Sequence, residues 1–137
     1  MISSVIAALG QTLGAVSGIK AIHITPPMSL NSADIPAIVI MHTGGEYNWH
    51  AIGLARRVTR YDVVLVVEAV AANRMPEKVA MAHSLYDAIV DALLDDPTLG
   101  GAVDQMSYVR DNNGYQVTTW AGMDFFGYTL SLEAIEK

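Results

Sequence analysis

Residues 57–70 read RVTRYDVVLVVEAV, and this stretch decides the fold. Its apolar residues are nearly continuous from Val63 to Val67. A strand that faces water on one side alternates apolar and polar residues, whereas a strand that is buried on both sides reads as an unbroken apolar run. The sequence therefore predicts a long strand with both faces covered.

Two further strands are predicted on the N-terminal side of this one. Residues 18–25 (GIKAIHIT) form a strand that ends at Pro26 and Pro27, because consecutive prolines cannot donate to a ladder of hydrogen bonds. Residues 36–43 (PAIVIMHT) form a second strand that Pro36 begins. Both are short compared with the central strand.

The connections around these early strands are predicted to be long. Residues 28–35 (MSLNSADI) have the composition of a loop. The Gly44-Gly45 pair opens a second irregular stretch that continues through residues 46–55 (EYNWHAIGLA). Two long loops between early strands follow from this interpretation.

Two segments carry apolar residues at the spacing of one helix face. The first stripe consists of Ile2, Ile6, Leu9, Leu13 and Val16. The second stripe consists of Val79, Ala82, Tyr86, Ile89 and Leu93. We predict that the second helix begins near Pro76 and ends at residues 95–97 (DDP). Gly10 and Gly14 lie four residues apart on the first helix, where a neighbour could pack closely.

The C-terminal third is predicted to be three strands. Residues 102–122 (AVDQMSYVRDNNGYQVTTWAG) contain two strands around an Asn113-Gly114 tight turn. The last strand is residues 125–134 (FFGYTLSLEA). Its one apolar face carries Phe126, Tyr128, Leu130 and Leu132. The whole chain, residues 1–137, is predicted to be one α+β domain with a mixed or mainly antiparallel sheet and two main helices on one face.

The charge of the chain limits the kinds of function. Charged residues make up only 16% of it, so we expect oligomerisation or docking to cover a surface this poor in charge. A net charge of −6 argues against a basic nucleic-acid-binding module. Arg56, Arg57 and Arg60 are the one local basic cluster, and we interpret it as a solvated or inter-subunit ion-pair site.

Membrane insertion and export are not expected. The longest apolar run, residues 63–72 (VVLVVEAVAA), is short and carries Glu68. The N-terminus resembles a signal peptide only slightly, since it has no basic region and glycines interrupt its apolar core. The chain contains no cysteine, which excludes disulfides and thiolate chemistry.

One arrangement could pass for a metal site, namely His42, Glu46 and His50 in HTGGEYNWH. The spacing of four would place all three side chains on one face of a helix, but Gly44-Gly45 disfavours a helix there. In a loop the spacing means little. A small-ligand or metal-binding α+β domain with a site at these residues and Trp49 stays an alternative hypothesis.

The other titratable residues form no recognisable catalytic set. His23 lies on a strand and His83 on the second helix, and neither has a serine or cysteine partner in a known motif. Asp91, Asp95 and Asp96 lie at a helix end, and we interpret them as solvated and not as general acids. The helix dipole disfavours Asp95 and Asp96 there, so we expect these two to have a partner or a role in the turn. We predict no catalytic, cofactor-binding or metal-binding residue, and no enzymatic activity.

Aromatic residues are distributed between two possible roles. Tyr47 and Trp49 stand in the second predicted loop, where an aromatic side chain needs something to pack on. Tyr61 and Trp120 lie in predicted strands. Intramolecular packing and an interface with another subunit both remain open for the four residues.

Two stretches resemble the tail-terminator or tail-completion proteins of long-tailed bacteriophages. They are residues 85–104 (LYDAIVDALLDDPTLGGAVD), a helix that ends in a D-P-x-L-G-G turn, and residues 121–134 (AGMDFFGYTLSLEA), a closing strand. The likeness extends to the leading helix and to a sheet with long loops between early strands.

The resemblance implies a structural virion protein without catalytic residues or cofactors. Such subunits form a ring, usually a hexamer, on the end of the tail tube, where the ring stops polymerisation of the tube protein and offers the docking surface for head-tail connector proteins. Residues 26–34 and 43–55 would then face the tube or the head, and DNA would only pass through the lumen. The protein would be assembled in the host cytoplasm into the virion tail. Another head-tail joining or minor tail protein is the close alternative.

Overall fold

The computed structural model describes residues 2–25, 27, 34–51, 54–69, 75–111, 113–120 and 122–136, with backbone alone at residues 50–51, 54–55, 69 and 75–78. The helices are α1 (Ile2–Gly14) and α2 (Met75–Leu94), and a 3-10 turn covers Leu99–Gly101. The strands are β1 (Ala21–His23), β2 (Ala37–Ala51), β3 (Leu54–Ala69), β4 (Gln105–Asp111), β5 (Gln116–Trp120) and β6 (Met123–Glu136).

The strands form one mixed sheet with the order β1-β2-β3-β6-β4, and β5 also pairs with β6. β1 runs parallel to β2, and the other pairings are antiparallel. Together with two helices, this sheet confirms the predicted α+β class. The strand predicted at residues 57–70 is confirmed as far as Ala69, as part of the central strand β3.

Both helices pack on the same face of the sheet, as predicted. The core that they share with the sheet includes Val63, Leu65 and Val67 of β3. Val5, Leu9 and Leu13 of α1 and Ala82, Leu85, Ile89 and Leu93 of α2 are buried in it. The buried face of α1 therefore consists of Val5, Leu9 and Leu13. Ile2, Ile6 and Val16 of the predicted stripe lie at its margin and are partly buried.

The opposite face of β3 is covered as well. Val64 and Val66 are buried there beside Val39 and Phe125. The Trp120 indole packs against this cluster and donates a hydrogen bond of 3.0 Å from Nε1 to the carbonyl oxygen of Pro27. The unbroken apolar run of β3 thus has the predicted cause, namely burial on both sides.

β3 and β6 approach each other closely at Gly127. A Cβ atom built on Gly127 would lie 1.8 Å from the carbonyl oxygen of Leu65, a distance that two non-bonded heavy atoms cannot adopt. The pairing of β3 with β6 shifts its register by one residue next to this point, between Val66 and Glu68. Only glycine fits here without displacing the backbone of the central strand.

Small residues also bring β1 against α1. A Cβ on Gly10 would lie 3.3 Å from Cγ2 of Ile24, and a Cβ on Gly14 would lie 3.5 Å from Cδ1 of Ile22. The close packing predicted for these two glycines is confirmed, and the neighbour is the segment around β1.

The turn after α2 ends the helix as predicted. Gly100 adopts φ +67°, a left-handed conformation that glycine reaches without steric cost. Its N–H donates to Oδ1 of Asp96 at 2.9 Å. Asp96 thus has the role in the turn that was expected for one of the acidic residues at this helix end.

One prediction about the connections is wrong. Residues 44–51 are strand and not loop, because β2 continues to Ala51 and pairs with β3. The two strands predicted around Asn113-Gly114 are present as β4 and β5. They pair with different parts of β6 and not with each other, through Asp111 with Leu130 and Gln116 with Gly127. The loop predicted at residues 28–35 falls mostly outside the described residues.

Candidate functional site: the outer ribbon

The outer part of β2 and β3 extends beyond the rest of the sheet. β1 pairs with β2 only at Ala37–Val39, and β6 pairs with β3 only as far as Arg57. Among the described strands, residues 54–56 therefore pair with β2 alone. We call residues 44–51 and 54–59 the outer ribbon. Residues 57–59 of it still pair with β6, so only residues 54–56 and the β2 residues paired with them extend beyond β6. The eight β2 residues of the ribbon, 44–51, span about 26 Å at about 3.3 Å per residue.

A β-bulge separates the outer ribbon from the inner part of β2. His42 pairs with Tyr61 and Gly44 with Arg60, so Thr43 is the extra residue. Gly44 adopts φ +148°, which a residue with a side chain rarely does. Because successive strand residues point to opposite faces, one extra residue exchanges the faces of every residue beyond it.

The bulge separates two members of the proposed metal triad. His42 lies on the helix side, where its ring makes an edge contact with Tyr61 at 5.6 Å between centroids. Glu46 pairs with Val58 on the opposite side and bonds to Arg60. Among residues whose side chains the structure describes, which exclude His50, no group of three or more His, Asp or Glu could hold a metal ion. The geometry therefore gives the metal hypothesis no support.

Arg60 is the centre of a polar row that crosses four strands. Its Nη2 lies 3.1 Å from Oε1 of Glu46, and its Nε lies 3.1 Å from Oε2 of Glu133. The hydroxyl of Ser107 donates to Oε1 of Glu133 at 2.7 Å. The hydrogen bond to Glu46 raises the pKa of Arg60, and the bond to Glu133 raises it further. One arginine of the basic cluster therefore forms ion pairs within its own chain.

Two aromatic side chains of the ribbon are turned to solvent. Trp49 is 81% exposed and Tyr47 is 59% exposed, whereas Tyr61 is buried in the core. Tyr47 lies on the helix side with Arg57 and Thr59, close to Ile2 at the start of α1. Isolated apolar residues are common on protein surfaces, but an exposed tryptophan beside a tyrosine on a protruding ribbon has the composition of a contact surface.

A second apolar surface lies at the other edge of the sheet. Leu94, the last residue of α2, is 62% exposed and borders a cavity of about 130 Å³ against β4. The cavity is lined by Leu93, Leu94, Pro97, Met106, Ser107, Tyr108 and Val109. We call this feature the α2-end pocket. Asp95 follows Leu94 directly in the chain and also borders a groove between α1 and α2.

Tyrosines from α2, from β6 and from the segment before β5 form a cluster that sequence reasoning missed. The rings of Tyr86 and Tyr128 stack at 3.9 Å, and Tyr115 lies 5.4 Å from Tyr128. His83 lies on its margin, 6.3 Å from both Tyr115 and Tyr128. The helix stripe indicated Tyr86 as an inward residue and the alternation of β6 indicated Tyr128, but nothing local linked the two or placed Tyr115 beside them.

The Tyr86 hydroxyl joins this cluster to the loop after β4. It donates to Oδ2 of Asp111 at 2.5 Å, while Oδ1 of Asp111 accepts from the backbone N–H groups of Asn113 and Gly114. Burial and then the bond to Asp111 raise the pKa of Tyr86. Burial alone would raise the pKa of Asp111, but the bonds from Tyr86 and the two N–H groups outweigh it and lower that pKa.

No described helix is long and apolar enough to cross a membrane. Neither a scan against protein-family models nor a search of curated proteins finds a match to this chain.

Proposed function

We propose that the chain is a structural subunit of the tail-terminator class of long-tailed bacteriophages. It assembles into a ring on the end of the tail tube, stops polymerisation of the tube and provides the surface on which the head docks. The observation that carries the proposal is the outer ribbon, which extends an apolar aromatic surface away from the domain, with Trp49 81% exposed.

The outer ribbon supports the proposal because a subunit of a ring needs contact surfaces that its own fold does not use. The buried core clusters include none of residues 46–49, whose partners in the sheet come from β3 alone among the described strands. Only 16% of the residues are charged, so the surface carries little charge, and its association with another protein would remove apolar area from water. The resemblance of residues 85–104 and 121–134 then supplies the particular class of assembly.

The proposal includes the parts that the resemblance implies. The ring is a hexamer, its partners are the tail tube protein and the head-tail connector proteins, and its place is the virion tail. A net charge of −6 suits a lumen through which DNA slides, since like charges keep the duplex from adhering.

Light scattering coupled to size-exclusion chromatography tests the assembly. We expect a mass several times the 14.7 kDa of one chain, and ring-shaped particles in negative-stain images. A strictly monomeric protein at high concentration, with no ring under any condition, would contradict the proposal.

A polymerisation assay separates a terminator from another neck or minor tail protein. Tail tube protein is polymerised with and without this chain, and tube lengths are measured by electron microscopy. A terminator shortens the tubes and appears as a cap on one end. A ring that leaves the length distribution unchanged would indicate a different component of the neck.

A further inference from the structure

We propose that one ordered water molecule binds between the first turn of α1 and the inner end of the outer ribbon, where it bridges the hydroxyls of Thr59 and Tyr61. The water is a structural ligand that joins the ribbon to the helix layer. The inference does not rest on the proposed function, because it concerns how a single chain holds its ribbon in place.

The site is a small cavity at the inner end of the ribbon. Its volume is about 30 Å³, and it is lined by Ile2 of α1, by Tyr47, Arg57 and Thr59 of the ribbon and by Glu136 of β6. A cavity needs about 10–15 Å³ of such space to hold a water molecule, and one water occupies about 30 Å³ in the liquid. The volume therefore suits a single molecule of the size of water.

Two hydroxyls at this place are buried without a protein partner. Thr59 is only 6% exposed and Tyr61 only 1%. Among the described residues, neither the Oγ1 atom of Thr59 nor the hydroxyl of Tyr61 has a hydrogen-bond partner. Burial of a hydroxyl without a hydrogen bond is costly, so nearly all buried polar side chains bond to the protein or to an ordered water.

The two hydroxyls lie close enough for one molecule to reach both. Residues two apart on a strand point to the same face, about 6.6 Å from each other. Burial raises the pKa of Tyr61, the Thr59 side chain partly offsets this, and Glu136 and Tyr47 raise it further. The Tyr61 hydroxyl therefore lies near three of the five residues that line the cavity. Since Thr59 and Tyr61 do not bond to each other, a water between them satisfies both.

The charges around the cavity favour a neutral molecule over an ion. Arg57 and Glu136 line the same cavity, so a cation meets the guanidinium and an anion meets the carboxylate. Water both donates and accepts hydrogen bonds, as hydroxyls do. A buried water makes about three hydrogen bonds, and the two hydroxyls with the Glu136 carboxylate supply three partners. The first N–H groups of α1, which have no partner within the helix, lie next to Ile2 as further donors.

Gly45 allows Tyr47 to lie over this site. A Cβ atom on Gly45 would lie 3.1 Å from the Tyr47 hydroxyl and 2.6 Å from the carbonyl oxygen of Val58. Gly45 pairs with Thr59, so the Tyr47 ring is folded back towards the strand that carries the buried hydroxyls. The bound water thus connects the start of α1, the ribbon and the end of β6, three segments that are far apart in the sequence.

The sign of two stability changes tests the bridge. Thr59→Val and Tyr61→Phe each remove one hydroxyl and keep the shape of the side chain. If the water bonds to both hydroxyls, each variant should raise the equilibrium constant of unfolding about fivefold, measured by urea titration of a dilute, monomeric sample. If no water binds, each variant removes a buried and unpaired polar group, so it should stabilise the chain. Stabilisation by both variants would therefore overturn the proposal.

The double variant tests whether one water serves both hydroxyls. Loss of either hydroxyl already weakens the binding of a shared water, so the second loss should cost less than the first. We expect the double variant to raise the unfolding constant about tenfold or less, below the about 25-fold product of two independent changes. Effects that multiply in full would show that the two hydroxyls have no common partner.

Magnetic relaxation dispersion of oxygen-17 water detects the bound molecule directly. We expect its amplitude to fall by one long-lived water from the wild type to the double variant. Tyr115→Phe is the matched control, since it also removes a buried hydroxyl without a partner among the described residues, but Tyr115 lines none of the cavities described above. We expect it to leave the amplitude and the stability unchanged.

Two outcomes would contradict the bound water. Equal dispersion amplitudes in the wild type and the double variant would show that no long-lived water occupies the site. A wild-type stability that rises when sodium replaces choline at constant ionic strength would show that the ligand is a cation. Neither outcome bears on the ring, which is tested by the mass of the assembled species, so the two proposals fail separately.

Discussion

The two ends of β3 belong to different environments although they form one continuous strand. Around Leu65, side chains are buried on both faces and the strand is flanked by β2 and β6. At residues 54–56 the strand has one described partner and lies in a protruding ribbon. Among the described side chains, burial falls from residues 63–68, which are all buried, to the partly buried Arg56 and the exposed Arg57, and the expected energetic cost of substitution falls with it. A single strand can therefore anchor the fold at one end and present a contact surface at the other.

The strongest test of this difference is Gly127→Ala, opposite the buried end of β3. The new Cβ would overlap the carbonyl oxygen of Leu65 at 1.8 Å, so the two central strands must separate. We expect a loss of more than about 4 kcal/mol in the free energy of unfolding, measured by urea titration. Gly122→Ala is the matched control, since open space surrounds it and only its φ of +80° is unfavourable. Equal losses for both variants would show that β3 and β6 do not approach closely.

Leu65→Ala measures the value of burial at the same end. Leu65 is almost fully buried, so its truncation leaves a cavity, and we expect a loss of about 3 kcal/mol. Leu94→Ala makes the same chemical change at an exposed site and should cost less than about 0.5 kcal/mol. Both values come from urea unfolding at a concentration where the chain is monomeric. A small effect at Leu65 would contradict a tightly packed centre.

Gly100→Val separates backbone strain from burial. A Cβ at Gly100 meets nothing within 4 Å, so the cost comes from its positive φ alone, and we expect about 1–2 kcal/mol. Asparagine tolerates this conformation better, so Gly100→Asn should lose less than half as much. Thermal melting that leaves the valine variant within about a degree of the wild type would show that the turn does not need a left-handed residue.

Tyr86→Phe tests a hydrogen bond at the margin of the core. At neutral pH the loss should be about 1 kcal/mol, because the stacked ring remains and only the bond to Asp111 is removed. The folded state raises the pKa of Tyr86, so the stabilisation it provides is complete below the unfolded pKa of about 10 and is lost as the pH rises above it. Above pH 10 the wild type should thus lose stability faster than the variant. Parallel curves of unfolding free energy against pH would contradict this.

Trp49→Ala should have the smallest effect on the monomer. The indole is 81% exposed, so we expect a change below about 0.5 kcal/mol in urea unfolding of a dilute sample. Trp120→Ala, which removes a packed and hydrogen-bonded indole, should cost clearly more. If the two tryptophan variants were equally destabilised, the ribbon would be part of the fold and not an outward surface.

The sequence predicted those parts of the fold that depend on local patterns. The unbroken apolar run identified β3, the spacing of apolar residues identified both helices, and Pro97 with Gly100 identified the turn between α2 and β4. These signals report burial and backbone conformation at the residue itself, so no partner has to be known to interpret them.

The outer ribbon could not be predicted in the same way. Gly44-Gly45 favours a loop when it is considered alone, but the pairing of residues 44–49 with residues 55–60 supplies hydrogen bonds that outweigh this preference. Asn113-Gly114 likewise suits a tight turn, and here it lies in the short loop between β4 and β5, where both backbone N–H groups donate to Oδ1 of Asp111. In both cases the conformation of the segment depends on the strand with which its neighbours pair, and a local sequence pattern does not identify that strand.

Because of the bulge at Thr43, the alternation of side chains between the two sheet faces is shifted by one residue in the outer part of β2. Up to His42, even-numbered residues face the helices, and beyond Gly44 the odd-numbered residues do. Failure to form the bulge, for example when Gly44 is replaced by valine, would let the ribbon slip by one position and turn Trp49 to the side of Arg60. The core residues would keep their places. Gly44 thus determines to which face of the sheet the ribbon side chains point. A single substitution there would change the surface offered to a partner and leave the core of the domain intact.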